Sequence, residues 1–263
     1  MGNPAQHRAR KRFGQHFLTD TRIIERIVDA IQPEPGQSII EIGPGQGALT
    51  FPLLQRCKQL TAVELDRDLI PLLQAQAGRY GELKLINQDI LKYNLSSVDL
   101  SPPLRVVGNL PYNISTPLMF HLLEYSELIR DMHFMLQKEV ANRISAQPNN
   151  KHYGKLSVMM QYHCRCDQLF DIAPGCFTPP PKVDSSIIRL IPHTASPVTV
   201  NDVSLLEQVV QSAFNQRRKT IANSLKNWID SSGLENLGID SRARAENLTL
   251  DDFARITQSI NGG

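Results

Sequence analysis

The chain has 263 residues, of which 41% are hydrophobic and 21% charged, with a formal net charge of +2. This length and composition allow a proper core without disulfides or a structural metal and exclude a chain that is disordered over most of its length. No apolar run reaches membrane-spanning length and residues 1–12 lack the apolar segment of a signal peptide, so a cytoplasmic location and no membrane partner are expected.

Cys57, Cys164, Cys166 and Cys176 are too few and too irregularly spaced for a disulfide framework or a zinc site. They read as buried free thiols, with no metal expected. The total charge says little about partners, but its distribution says more. Residues 1–19 hold Arg8, Arg10, Lys11 and Arg12 and no acid, and residues 208–229 hold Arg217, Arg218, Lys219 and Lys226 and no acid. Two such stretches suit a polyanion.

In chain order, Ile23, Ile24, Ile27, Val28 and Ile31 lie on one helical face, with Asp20 as cap and Pro33-Glu34-Pro35-Gly36 as stop. A short buried strand over 38–42 runs into Gly43-Pro44-Gly45-Gln46-Gly47, and a helix follows over 48–57, which puts the glycines at a strand-to-helix turn. The alternation continues with a strand over 60–64, a helix opening near Asp66, and strands over 83–87 and 104–107. The turn Asn109-Leu110-Pro111-Tyr112 comes next, then a helix capped by Ser115, a strand over 132–136 and a helix over 138–145. Repeated strand-helix units of this length predict a largely parallel sheet wrapped by helices, with ligands outside the carboxyl ends of the strands. Leu156, Met159, Met160 and His163 have helical spacing and read as core. Phe177-Thr178-Pro179-Pro180-Pro181-Lys182 reads as a rigid extended loop before a last strand over 185–191. From 203 onward only helical periods remain, closing with a helix over 251–260. The expectation is an α/β, Rossmann-like sheet domain over 1–195 and a small all-helical domain over 196–263.

The glycine turn admits a ligand close to the backbone and leaves amides free at the following helix terminus. Glu41 precedes it, and Glu64 ends the next strand, where a carboxylate can accept hydrogen bonds from ribose hydroxyls. These features alone leave a nicotinamide enzyme open, although the spacing is G-x-G-x-G and the loop lacks the Gly-Lys-Ser/Thr ending of a triphosphate site. Asp89 follows the third strand, where it can accept an adenine amino group or, more plainly, cap a turn. Together these positions outline an adenosine-shaped pocket.

Asn109-Leu110-Pro111-Tyr112 supplies what an exocyclic amine needs in order to attack an electrophilic methyl group. The amine's lone pair is delocalised into the ring. Acceptors at the Asn109 side-chain oxygen and the Pro111 carbonyl favour a pyramidal nitrogen, Pro111 stiffens the turn, and Tyr112 offers an aromatic face. No strong general base is required, because the alkylated nitrogen loses its proton readily. The plainer reading is an ordinary Asn-x-Pro turn. The chemistry reaches an amino group on a planar ring and leaves DNA or RNA open.

Seven segments in order then carry a family resemblance: Arg12-Phe13-Gly14-Gln15-His16-Phe17-Leu18, Glu41-Ile42-Gly43-Pro44-Gly45, Glu64-Leu65-Asp66, Asn109-Leu110-Pro111-Tyr112-Asn113-Ile114-Ser115, Phe134-Met135-Leu136-Gln137-Lys138-Glu139, Phe177-Thr178-Pro179-Pro180-Pro181-Lys182-Val183-Asp184-Ser185 and Phe214-Asn215-Gln216-Arg217-Arg218-Lys219-Thr220. Over essentially its whole length the chain resembles the bacterial small-subunit ribosomal RNA adenine dimethyltransferases, the KsgA (RsmA) family. His16 stands where many relatives carry asparagine.

The resemblance implies S-adenosylmethionine as cofactor and N6,N6-dimethylation of two adjacent adenosines in the 3′-terminal hairpin of 16S rRNA, on the small (30S) subunit. It also implies that His16, Leu18, Gly43, Glu64, Asp89 and Asn109 line the cofactor site and that Phe177 faces Tyr112 across a flipped base. Without it, Phe177 reads equally as a packing plug. Arg217, Arg218 and Lys219 read as phosphate contacts or as a solvated helical face. Residues 195–263 carry seven Lys/Arg against eight Asp/Glu, so only one face of that domain can serve RNA. A monomer is expected. The competing readings are a large-subunit rRNA dimethyltransferase, a nicotinamide dehydrogenase, and a ribosome-assembly factor for which methylation is the release step.

Overall fold

A computed structural model of the chain describes residues 16–261. The basic cluster Arg8, Arg10, Lys11 and Arg12, and the motif residues Arg12 to Gln15, lie outside the described residues. The first half of the chain runs β1 (Phe17–Leu18), α1 (Thr21–Ile31), β2 (Ser38–Ile42), α2 (Thr50–Cys57), β3 (Gln59–Glu64), α3 (Ile70–Ala77), β4 (Glu82–Asn87), β5 (Leu104–Asn109), α4 (Ser115–Leu123) and β6 (Ile129–Gln137). It continues α5 (Lys138–Ser145), α6 (Lys155–His163), β7 (Cys164–Ile172), β8 (Phe177–Thr178), β9 (Ser185–Pro192), α7 (Val203–Phe214), α8 (Ile221–Ser224), α9 (Ser231–Asn236) and α10 (Leu250–Asn261).

Seven strands form one sheet in the order β4-β3-β2-β5-β6-β9-β7, and β1 pairs with β8 in a separate two-stranded ladder. Neighbours from β4 through β6 are parallel, and β9 returns antiparallel to β6. The central strands are apolar on both faces, as parallel strands covered by helices must be: Ile39, Ile40 and Ile42 of β2 and Val106 and Val107 of β5 are all buried. Each such side chain contributes about 1.5–3 kcal/mol of burial. Helix α1 starts where Asp20 accepts the backbone N–H groups of Arg22 and Ile23 at 2.9 and 3.3 Å, and it packs Ile24, Ile27, Val28 and Ile31 into the same core.

One buried network had no sequence signal. Arg105, at the start of β5, donates through Nε to both Asp131 oxygens at 3.0 and 3.2 Å, and through its Nη groups to the Ile31 and Gln32 carbonyls and the Gln37 side chain at 2.6–3.0 Å. It thus closes the carboxyl end of α1, where Gln32 turns left-handed. Burial works against the Asp131 carboxylate, yet the His133 and Arg105 contacts hold it below the ordinary range. Removing one partner of a buried pair of this kind costs about 3–5 kcal/mol.

Several local expectations change. Strand β7 went unpredicted because its sequence does not alternate: it is half-buried along most of its length and ends the sheet, with Arg165, Asp167 and Asp171 along it. Helix α3 begins at Ile70, while Asp66 nucleates the preceding turn by accepting the Asp68 N–H at 3.1 Å. Ser115 is the first residue of α4 instead of its cap, and its hydroxyl donates to the Tyr112 carbonyl at 3.2 Å. All four cysteines are free, but only Cys57 and Cys164 are buried; Cys166 and Cys176 are partly exposed.

The chain divides into two compact units, and they do not follow a single cut at 195/196. The sheet unit holds the described residues up to Lys138 together with Gln168–Pro192. The helical unit holds Glu139–Asp167 together with the residues from His193 onward. Helices α5 and α6 thus group with the carboxyl-terminal helices, because Leu156, Val158 and Met160 of α6 and Leu206, Val209, Val210, Phe253 and Ile256 of α7 and α10 are all buried. The Tyr153, Phe214 and Phe253 rings lie in the same unit, Tyr153 edge-on to Phe214 at 6.0 Å between centroids and Phe253 tilted against Phe214 at 5.8 Å. A 3.6-residue period marks a helix without saying which core it joins.

Candidate active site

Parallel pairing brings the ends of four strands to one edge of the sheet unit. Ile42 pairs with both Val63 and Gly108, Glu64 pairs with Asn87, and Asn109 pairs with Met135. The residues that follow, or close, each strand converge on one cavity of about 210 Å³. Its lining includes His16, Leu18, Glu41, Gly43, Glu64, Asp89, Asn109, Pro111 and Tyr112. Residues far apart in the chain meet because parallel strands all point their carboxyl ends the same way.

The glycine loop works through its backbone shape. Gly43, Gly45 and Gly47 have φ of +65°, +57° and +87°, and no atom lies within 4 Å of a Cβ built on Gly43. The three N–H groups donate to Val63 O, Glu64 Oε2 and Pro44 O at 2.9, 3.1 and 2.9 Å. The turn therefore offers a ligand close approach, with its glycine donors already committed.

Glu64 accepts Gly45 N–H on one carboxylate oxygen and Asp66 N–H on the other, at 3.1 and 2.8 Å. Each oxygen retains a second lone pair for a ligand hydroxyl. Burial raises its pKa against the pull of these two amides. Glu41, 2% exposed in the cavity wall, is pushed up to about 8 by burial, opposed by the nearby Thr50 hydroxyl and reinforced by the Glu64 charge; its Oε2 has no hydrogen-bond partner among the described residues. Asp89 lines the cavity and also caps the short 3₁₀ turn Ile90–Lys92, accepting Leu91 N–H at 3.1 Å.

At the Asn109 end, the side-chain amide donates to the His16 carbonyl at 3.4 Å, which leaves Oδ1 as the acceptor. The Pro111 carbonyl accepts Ile114 N–H at 3.1 Å and keeps its second lone pair. The Tyr112 ring is half-buried and stacks loosely on the His16 imidazole, with centroids 6.1 Å apart and planes at 27°. His16 is fixed in turn by its Nδ1 contact with the Pro179 carbonyl at 2.8 Å. Leu18 is buried beside them.

Phe177 does not line this cavity. Its ring is 4% exposed in the apolar cluster with Leu18, Met135 and Ile187, because pairing of β8 with β1 turns Phe177 inward opposite Leu18 and Thr178 outward. A position opposite Tyr112 across a base is not the arrangement of this conformation.

Arg217, Arg218 and Lys219 are exposed in the turn after α7, not on a helical face. They are not equivalent. The Arg217 guanidinium donates to the Lys151 and Tyr153 carbonyls at 2.9 and 3.1 Å and meets Glu246 at 3.4 Å, tying the helical unit together. Among the described residues no group of three His, Cys, Asp or Glu is placed to hold a metal, and no described helix is long and apolar enough to cross a membrane.

Comparison with known proteins identifies the family. The chain is 52% identical over 261 residues to the ribosomal RNA small subunit methyltransferase A of Pseudomonas putida, spanning 99% of this chain and 98% of that one. Among solved structures it resembles a dimethyladenosine transferase from Plasmodium falciparum, with a TM-score of 0.81 and 25% identity over 94% of this chain and 98% of that one. The fold is shared with the 23S rRNA methyltransferase ErmE, at a TM-score of 0.75 and 24% identity over 93% and 99% of the two chains. The sheet is that of the S-adenosylmethionine-dependent methyltransferases, and the ribosomal RNA adenine dimethylase model matches residues 6–262. The chain belongs to the ribosomal RNA adenine dimethylase family.

Proposed function

We propose that this enzyme dimethylates N6 of two adjacent adenosines in the 3′-terminal hairpin of 16S rRNA on the small (30S) subunit, in the cytoplasm and as a monomer, with a role in small-subunit biogenesis. The observation that carries the chemistry is the pair of available acceptors at Asn109 Oδ1 and Pro111 O, on residues that line the same cavity as Glu64 and the glycine turn. The cavity suits an adenosine-bearing cofactor: Glu64 keeps lone pairs for a ribose, the Gly43 backbone is open to close approach, and the unpartnered Glu41 Oε2 lies in the wall. S-adenosylmethionine, when bound there, supplies an electrophilic methyl group. Glu64 and Asp89 hold its nucleoside end, with His16, Leu18, Gly43 and Asn109 around it.

Asn109 and Pro111 accept the two N–H bonds of the adenine amine, which draws the nitrogen lone pair out of conjugation. Tyr112 offers the extruded base a face, and base-aromatic stacking contributes about 1–3 kcal/mol. After the first methylation only one N–H remains to share between the two acceptors. The proton released by alkylation passes to solvent, so no strong base is needed. In the helical unit Arg218 and Lys219 contact phosphate, while Arg217 is held by its own fold.

The fold is common to large-subunit and small-subunit enzymes, so the choice of subunit rests on the full-length similarity to small-subunit methyltransferases. The test is to offer labelled S-adenosylmethionine with under-methylated small subunits and, separately, with large subunits. Label is expected as dimethyladenosine in 16S rRNA. Label in large-subunit rRNA alone, or in protein, refutes the assignment.

A further inference from the structure

Tyr112 is held at its phenol by a residue from a distant part of the chain. Ser185 opens β9, is 0% exposed, and places its Oγ 3.0 Å from Tyr112 Oη. The neighbouring Ser186 serves the sheet instead. Its hydroxyl donates to the Phe170 carbonyl at 3.1 Å and accepts from Gln168 at 3.1 Å, which ties β9 to β7. Of the two serines, Ser185 is the one that reaches the Asn-Leu-Pro-Tyr turn.

Its mount is rigid. Ser185 pairs with Gln137 in the β6–β9 ladder, the preceding Asp184 carbonyl accepts Lys138 N–H at 2.9 Å, and Met135 of β6 pairs with Asn109. The serine that holds the Tyr112 ring and the asparagine that meets the amine are therefore fixed to the same strand, one on each side of it. Without the serine, the stack on His16 is the one ring contact or side-chain hydrogen bond left to Tyr112 among the described residues, and the half-buried ring is freer to turn about its side-chain torsions.

We propose that Ser185 is a positioning residue for base capture: its hydroxyl fixes the plane of the Tyr112 ring, so that an extruded adenine meets a preset face beside Asn109. The inference rests on the reading of Tyr112 as the base platform. A single hydrogen bond of this kind sets the expected size, about three- to tenfold in rate.

The experiment uses the full chain as Ser185→Ala, Tyr112→Phe, the double variant and Tyr112→Ala. It measures single-turnover methyl transfer to under-methylated small subunits at saturating subunit and cofactor, and S-adenosylmethionine affinity by calorimetry. Ser185→Ala and Tyr112→Phe are each expected to slow transfer three- to tenfold, with the double variant no slower than the slower single and cofactor affinity within twofold of the parent. Additive losses, an unchanged Ser185→Ala rate, or a cofactor affinity that falls as much as the rate overturn the proposal. The underlying reading fails separately: a Tyr112→Ala rate equal to the parent means that Tyr112 is not the platform.

Discussion

Glu41→Gln should alter the pH dependence of stability in a way that only a buried neutral acid can. The folded protein holds the Glu41 proton up to about pH 8, whereas the reference value is 4.5. Below about 4.5 both states are protonated and the burial of Glu41 carries no titration penalty. Between these values the unfolded chain has released a proton that the folded protein keeps, so stability falls as pH rises, by about 1.4 kcal/mol per pH unit for one proton. From pH 5.5 to 7.0 that is about 2 kcal/mol. The fall ends once pH passes the folded value. Glutamine preserves shape and cannot ionise, so the parent should lose about 2 kcal/mol relative to Glu41→Gln across that window. The assay is urea unfolding at several pH values followed by far-UV circular dichroism, because the single tryptophan, Trp228, belongs to the helical unit. A difference between parent and variant that stays constant with pH refutes the reasoning.

Gly108→Ala would set a Cβ 2.7 Å from the Ile42 carbonyl and 3.1 Å from the Leu110 side chain, pushing β5 off β2 one residue before Asn109. A loss of about 1–3 kcal/mol in stability and of at least tenfold in kcat is expected from denaturation and steady-state kinetics. Glu64→Ala should weaken S-adenosylmethionine binding at least tenfold by calorimetry while leaving small-subunit affinity largely intact, because phosphate contacts dominate RNA affinity. Collapse of both affinities in a folded variant would refute that separation. Arg218→Ala and Lys219→Ala should each reduce the salt dependence of subunit binding by about one counterion, whereas Arg217→Ala should lower the melting temperature, since its guanidinium ties Lys151, Tyr153 and Glu246.

Most of the sheet unit was legible because its signals are local. The apolar stripe of α1, the glycine turn after β2 and the acid closing β3 each follow from a few adjacent residues, and parallel strands then necessarily gather such turns at one edge. Asn109-Leu110-Pro111-Tyr112 was legible for the same reason. Strand β7 was hidden by its polar, non-alternating edge sequence. Arg105 was hidden because its partners, Ile31, Gln32, Gln37 and Asp131, come from separate segments. The grouping of α5 and α6 with the carboxyl-terminal helices depends on which core their apolar faces join, and periodicity carries no such information.

By itself the sequence indicated an α/β protein with a nucleotide pocket and marked Asn109-Leu110-Pro111-Tyr112 as the candidate methylation turn, and its motifs pointed to the ribosomal RNA adenine dimethylase family to which it belongs. Only the tertiary structure decided which side chains are committed elsewhere. The glycine amides are used internally, Arg217 is a tie, Phe177 of β8 pairs with Leu18 of β1 and packs into the core, and Ser185 is hydrogen-bonded to Tyr112. The physical reason is that a motif specifies residue types along the chain, whereas a hydrogen bond or a packed ring depends on partners that only folding brings within reach.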